Sequence, residues 1–96
     1  MSILQSIHQK LAENKTVLFQ KYTIESLAIF GSVSRGDHTT ESDVDILVSF
    51  EKPIGIRFID LADELESLLG KKVDLVSKNA IKPRYFRHIE SELNYV

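Results

Sequence analysis

The stretch from Leu27 to Val48, LAIFGSVSRGDHTTESDVDILV, leaves this chain few ways to fold. An apolar run stops at Gly31, as a buried strand does where it meets a turn, and a second run resumes near Asp43 with strict alternation. Val44, Ile46, Val48 and Phe50 fall on one side of that second strand, and Asp43, Asp45, Leu47 and Ser49 on the other. The first set is a core face. Between the runs, Val33 to Arg35 have room for about one helical turn before Gly36, and at about 1.5 Å per residue that advance is shorter than a typical strand. The chain cannot regain the far edge of the sheet before the second strand begins. The two strands are therefore expected to be antiparallel, with Gly31-Ser32 and Asp43 at the same end.

This arrangement carries chemistry. Aspartate is depleted from strands and like charges on one face repel, so Asp43-Val44-Asp45 is costly unless something positive lies between the side chains. A divalent cation meets that need. Magnesium accepts one or two carboxylates plus water and substrate phosphates, and two such ions about 3.5 to 4 Å apart hold a triphosphate for in-line displacement at phosphorus. Gly31 allows close approach of a ligand, and Ser32 suits the N-cap of a short helix whose N–H groups face phosphate oxygens. Each half has a plainer reading: a Gly-Ser pair is commonly just a turn, and an Asp-x-Asp can be a strand-start cap with a solvated neighbour. Their conjunction is what points to a phosphate site.

The remainder of the chain supports the site. Ile3, Leu4, Ile7, Leu11 and Leu18 recur at helical spacing, which predicts one amphipathic helix from Ser2 to about Tyr22 covering the sheet. Strand one is expected over Ser26 to Phe30 and strand two over Asp43 to Phe50. After Pro53, Phe58, Leu61, Ala62, Leu65, Leu68 and Leu69 again mark a helix, closed by Gly70 as its C-cap glycine. A helix of about fourteen residues spans roughly 20 Å, enough to recross the sheet, so strand three, Lys72 to Val76, is expected parallel to strand two. Asp74 then lies beside Asp43 and Asp45. Pro83 opens a last helix with an apolar stripe of Phe86, Ile89 and Leu93, and Lys78, Lys82, Arg84, Arg87 and His88 make that end basic.

Composition narrows the classes. Ninety-six residues make one domain, 1–96, with no room for a separate substrate-binding domain, so a large substrate must be presented by another chain. The net charge of −2 argues against direct nucleic-acid binding through phosphates. The absence of cysteine excludes disulfides, thiolate zinc sites and cysteine nucleophiles. Charges interrupt the N-terminus too early for a signal peptide or membrane span, giving the expectation of a cytoplasmic protein. His8, His38 and His88 lack metal-ligand spacing, Glu64 and Glu66 read as a solvated helix face, and Tyr22, Tyr85 and Tyr95 read as packing residues. There is no Walker-type Gly-Lys-Ser/Thr sequence.

Gly31-Ser32, Arg35-Gly36, Ser42-Asp43-Val44-Asp45 and Asp74-Leu75-Val76 resemble the minimal nucleotidyltransferase (MNT) family of the DNA polymerase beta superfamily. The resemblance extends from Ser26 to the terminal Lys82-Pro83-Arg84 and Glu92-Leu93-Asn94-Tyr95 segments. Members of the family often have Arg where Val33 stands. The resemblance implies an α+β (α/β) nucleotidyltransferase fold, α-β-α-β-α-β-α, with a mixed three-stranded sheet in the order 1-2-3. It also implies transfer of a nucleoside monophosphate from a triphosphate, with pyrophosphate released. Gly31 and Ser32 would hold the outer phosphates, with Arg35 a phosphate or partner ligand. Asp43 and Asp45 would ligate two Mg2+ ions, and Asp74 the catalytic one while accepting the proton of the incoming hydroxyl. Proteins of this size are similar to the antitoxin members of toxin-antitoxin pairs of the type VII kind. There the chain adds AMP from ATP to a tyrosine of a helical HEPN toxin, which implies a hetero-oligomer. Two other readings remain open: an antitoxin that neutralises a helical partner by contact alone, and the catalytic subunit of a two-chain enzyme modifying a small hydroxylated molecule.

Overall fold

The structure, a computed structural model, describes residues 2–96. Ser2 starts the first helix, α1 (Ile3–Glu13), through a capping box in which its hydroxyl accepts the Gln5 amide and the Gln5 side chain accepts the Ser2 amide. The single N-terminal helix expected from the periodicity is in fact two. Asn14 bonds the Lys10 carbonyl through its side chain at 2.8 Å, leaving the helical path with φ −107°, and α2 (Lys15–Lys21) begins after it. Such a side chain competes with the backbone ladder, which hydrophobic spacing does not register.

Then follow β1 (Ile24–Phe30), the short helix α3 (Gly31–Arg35), β2 (Val44–Phe50), α4 (Arg57–Leu69), β3 (Val73–Ser77) and α5 (Pro83–Ile89). A 3-10 turn (Glu90–Glu92) and a two-residue strand, β4 (Asn94–Tyr95), close the chain. The sheet has four strands in the order β3-β2-β1-β4, so the expected three-stranded sheet is corrected to a mixed four-stranded one. The expected neighbours hold: β1 pairs antiparallel with β2, and β2 parallel with β3. The addition is β4, antiparallel on β1 with Tyr95 opposite Ala28 and Asn94 opposite Ile29. Two residues are too few to show a strand period. The last helix also ends early, at Ile89, and Leu93 reaches the core in extended conformation.

Each face of the sheet is covered differently. Ile7, Leu11, Leu18, Leu61, Leu65 and Leu69 from α1, α2 and α4 pack on Leu27, Ile29, Val44, Ile46 and Val48. On the other face a smaller cluster of Phe30, Leu47 and Ile89, joined by Val76, Phe86 and Leu93, seats α5 and the chain end. Leu47 thus belongs to a second core, and the alternation of β2 separates two packed faces rather than core from solvent. Glu64 and Glu66 are not a solvated face either. Glu64 accepts the Tyr22 hydroxyl at 2.7 Å and pairs with Lys21 at 2.8 Å, and Glu66 accepts the Val73 amide at 2.9 Å. These bonds fasten the C-terminal half of α4 to the end of α2 and to the start of β3.

Candidate functional site

Asp45 is the hinge of the site. Strand register sets it opposite Phe30 on one side and Asp74 on the other, so residues far apart in sequence become neighbours on one sheet face. Asp43 precedes β2 by one residue and lies two positions before Asp45 on the same chain. The Asp45 carboxyl is pushed up to about 6, first by burial and then by repulsion from Asp74 and Asp43, with Arg35 opposing weakly. Burial and the neighbouring carboxylates together disfavour its charged form.

The turn after β1 lies against the same carboxylate. Gly31 has φ +76°, and a Cβ placed there would stand 2.0 Å from Asp45 Oδ2. Glycine is required for both reasons: the left-handed backbone and the space Asp45 occupies. Gly36, also left-handed, ends α3, its amide bonding the Ser32 carbonyl at 2.9 Å. The structure therefore gathers Gly31, Ser32, Asp43, Asp45 and Asp74 at one rim.

Arg35, expected as a phosphate or partner ligand, lies at the end of α3 and is 47 % exposed. Its guanidinium binds Asp37 through Nε at 3.1 Å and Glu92 through Nη1 at 3.0 Å, which holds it fully charged. In the chain by itself the guanidinium is paired with these two carboxylates. Val33 is buried at 3 % exposure in the main core, so the position where MNT members often carry Arg is used here for packing. Glu92 is a residue that the sequence reading did not assign. Its other carboxylate oxygen accepts the Gly31 amide at 3.1 Å, across 61 residues of chain. No local pattern announces such a contact; its only trace is the Glu92-Leu93-Asn94-Tyr95 segment within the resemblance.

No group of three or more His, Asp and Glu side chains closes into a metal cage among the described residues. The aspartates fit an open site instead. Two carboxylates abut across β2 and β3 and a third precedes them, an oxygen-rich arrangement of the kind that takes a divalent cation together with water and phosphate oxygens. The three histidines do not converge: His8 contacts the Tyr95 carbonyl at 3.0 Å, and His88 lines a shallow cleft with Lys82, Arg84 and Tyr85. A separate apolar cleft of about 610 Å³ lies beyond Asp74 along β3, between Phe50, Ile54, Phe58 and Leu75.

Comparison with known proteins agrees with this geometry. A family model described as a nucleotidyltransferase domain matches residues 11–96. A chain of Methanocaldococcus jannaschii, provisionally named a protein adenylyltransferase, is 47 % identical over 98 residues, covering all of both chains. The protein adenylyltransferase MntA of Thermococcus cleftensis is 39 % identical over 97 residues, covering 100 % of this chain and 98 % of that one. Among solved structures, one of a tri-AMPylated Shewanella oneidensis HEPN toxin in complex with MNT antitoxin matches with a TM-score of 0.64 at 26 % identity. It covers 91 % of this chain and 70 % of that one.

Proposed function

The chain belongs to the nucleotidyltransferase domain family, as a nucleotidyltransferase of the MNT group within the DNA polymerase beta superfamily, and on that premise we propose a specific reaction. It transfers AMP from ATP to a tyrosine hydroxyl of a helical HEPN toxin and so acts as the antitoxin of the pair. The observation that carries this reading is the placement of Asp45, in register with Asp74 and packed against Gly31. The likeness to a relative named MntA and to an MNT antitoxin bound to an AMPylated HEPN toxin supports the acceptor.

In this reading the Gly31-Ser32 turn receives the outer phosphates, and the carboxylates beneath it hold Mg2+. Asp43 and Asp45 would ligate both ions and Asp74 one of them; when bound, the metal offsets the charge of the triphosphate and of the attacking oxygen. The tyrosine oxygen attacks the α-phosphorus, the bond to the bridging oxygen breaks, and pyrophosphate leaves. Asp74, on the edge strand β3 and exposed, takes the phenolic proton. The whole chain, 1–96, serves as one catalytic domain, and the acceptor comes from the partner in a hetero-oligomer. The reaction is proposed to take place in the cytoplasm; no helix of the described residues is long and apolar enough to cross a membrane.

The test is incubation of the purified chain with Mg2+, ATP labelled at the α-phosphate and the HEPN partner, followed by intact mass and peptide mapping. Addition of AMP to a partner tyrosine is the expected result. Tight complex formation with no label supports neutralisation by contact instead, and label on a small hydroxylated acceptor alone supports the small-molecule enzyme.

A further inference from the structure

One carboxylate ties the end of the chain to the turn after β1. Glu92 bonds the amide of Gly31, the first residue of α3, and the guanidinium of Arg35, the last. Its side chain is 17 % exposed, against 47 % for Arg35. The Glu92 backbone is itself held. Ser34 Oγ donates to its carbonyl, and Asn94 Nδ2 donates to Ser34 Oγ and, at 3.2 Å, to the same carbonyl. Pairing of Asn94 with Ile29 then anchors this segment to the strand that leads into the turn. Gly31, Ser34 and Arg35 are thus all gripped from the C-terminal end.

The grip matters because of what it holds. A glycine turn has more backbone freedom to lose than any other, and a site that must order itself on binding gives up affinity to do so. Here the turn must also stand clear of Asp45, whose carboxylate fills the space above the Gly31 Cα. A charge-assisted bridge between the two ends of a five-residue helix fixes both position and tilt.

We infer that Glu92 is a positioning residue for the transfer reaction, holding the Gly31-Ser32 turn against Asp45 in the geometry that receives the outer phosphates, without itself touching the nucleotide. This rests on the nucleotide site proposed above. It makes the chain terminus part of the apparatus that binds ATP.

The experiment compares the full chain with Glu92→Ala and Glu92→Gln. AMP transfer to the HEPN partner is measured over a range of Mg-ATP concentrations, and Gly31 amide exchange is measured by NMR without nucleotide. Glu92→Ala is expected to raise KM for ATP by about ten-fold or more, with a smaller change in kcat, as loss of a charge-assisted bond implies. Glu92→Gln keeps an oxygen for the Gly31 amide and recovers part of the loss. The Gly31 amide exchanges faster in Glu92→Ala while thermal unfolding stays cooperative. An unchanged KM overturns the inference, and so does a lowered one, which would make Glu92 a stand-in anion that phosphate displaces. If the wild-type chain itself fails to bind Mg-ATP, the nucleotide reading and the positioning role fall together. The exchange data then report on the bridge alone: unchanged exchange refutes it, and faster exchange retains it as a structural tie.

Discussion

At the scale of single residues, the site is costly to fold. Asp45 keeps its proton up to about 6 in the folded chain, whereas an unfolded aspartate releases it near ~4. The folded state binds more protons across that window, so its stability falls as pH rises from about 4 to about 6 and stays lower above it. Asp45→Asn is accordingly expected to stabilise the metal-free protein near neutral pH by on the order of 1 kcal/mol, allowing for partial solvent screening, and to change little below about pH 4. Thermal melts at both pH values check this. The same substitution, and Asp43→Asn, are expected to lower AMP transfer by on the order of a hundred-fold or more, read by label incorporation. A variant more stable but inactive identifies the carboxylate as retained for chemistry. Gly31→Ala is expected to cost about 2 kcal/mol or more in urea unfolding, since it meets both a left-handed backbone and the Asp45 carboxylate. These residues were legible in the sequence because strand alternation and a glycine break are local. Glu92 was not, because its partners are Gly31 and Arg35, and side-chain reach across a fold has no period. Arg35 was legible as a charged residue near the turn but not in its partners, which are two carboxylates.

At the scale of elements, the helix recrossing the sheet does most to assemble the site. The length of α4 alone was enough to predict a parallel β3, and with it the meeting of Asp74 and Asp45. What the pattern of apolar residues could not convey is how elements are fastened. The Tyr22 hydroxyl, on a residue only 3 % exposed, donates to Glu64, and Arg57 lies 5.1 Å over the Tyr22 ring. Tyr22→Phe is expected to destabilise the fold by about 1 kcal/mol, and Glu64→Ala by more, because it leaves the part-buried hydroxyl without its acceptor and Lys21 without its ion pair. Denaturant titration of both variants and of the double variant gives the coupling. The break of the N-terminal helix at Asn14 and the two-residue β4 escaped prediction for related reasons. Each depends on a few polar or backbone bonds that leave the hydrophobic rhythm intact.

At the scale of the whole molecule, the two faces of the sheet divide the labour. One is packed by α1, α2 and α4; the other carries the aspartates at one end and α5 further along. Mg-ATP is expected to raise the melting temperature of the wild-type chain in a concentration-dependent way and to leave Asp43→Asn and Asp45→Asn unshifted, which differential scanning fluorimetry can record. The strand order has one more effect. With Asp74 on the outermost strand, the carboxylates line an open quayside instead of a walled basin, and whatever is to be modified must berth alongside. In the proposed reaction a jutting side group on another protein draws up there from the open flank, and the choice of visitor falls to the surfaces on either side of the mooring.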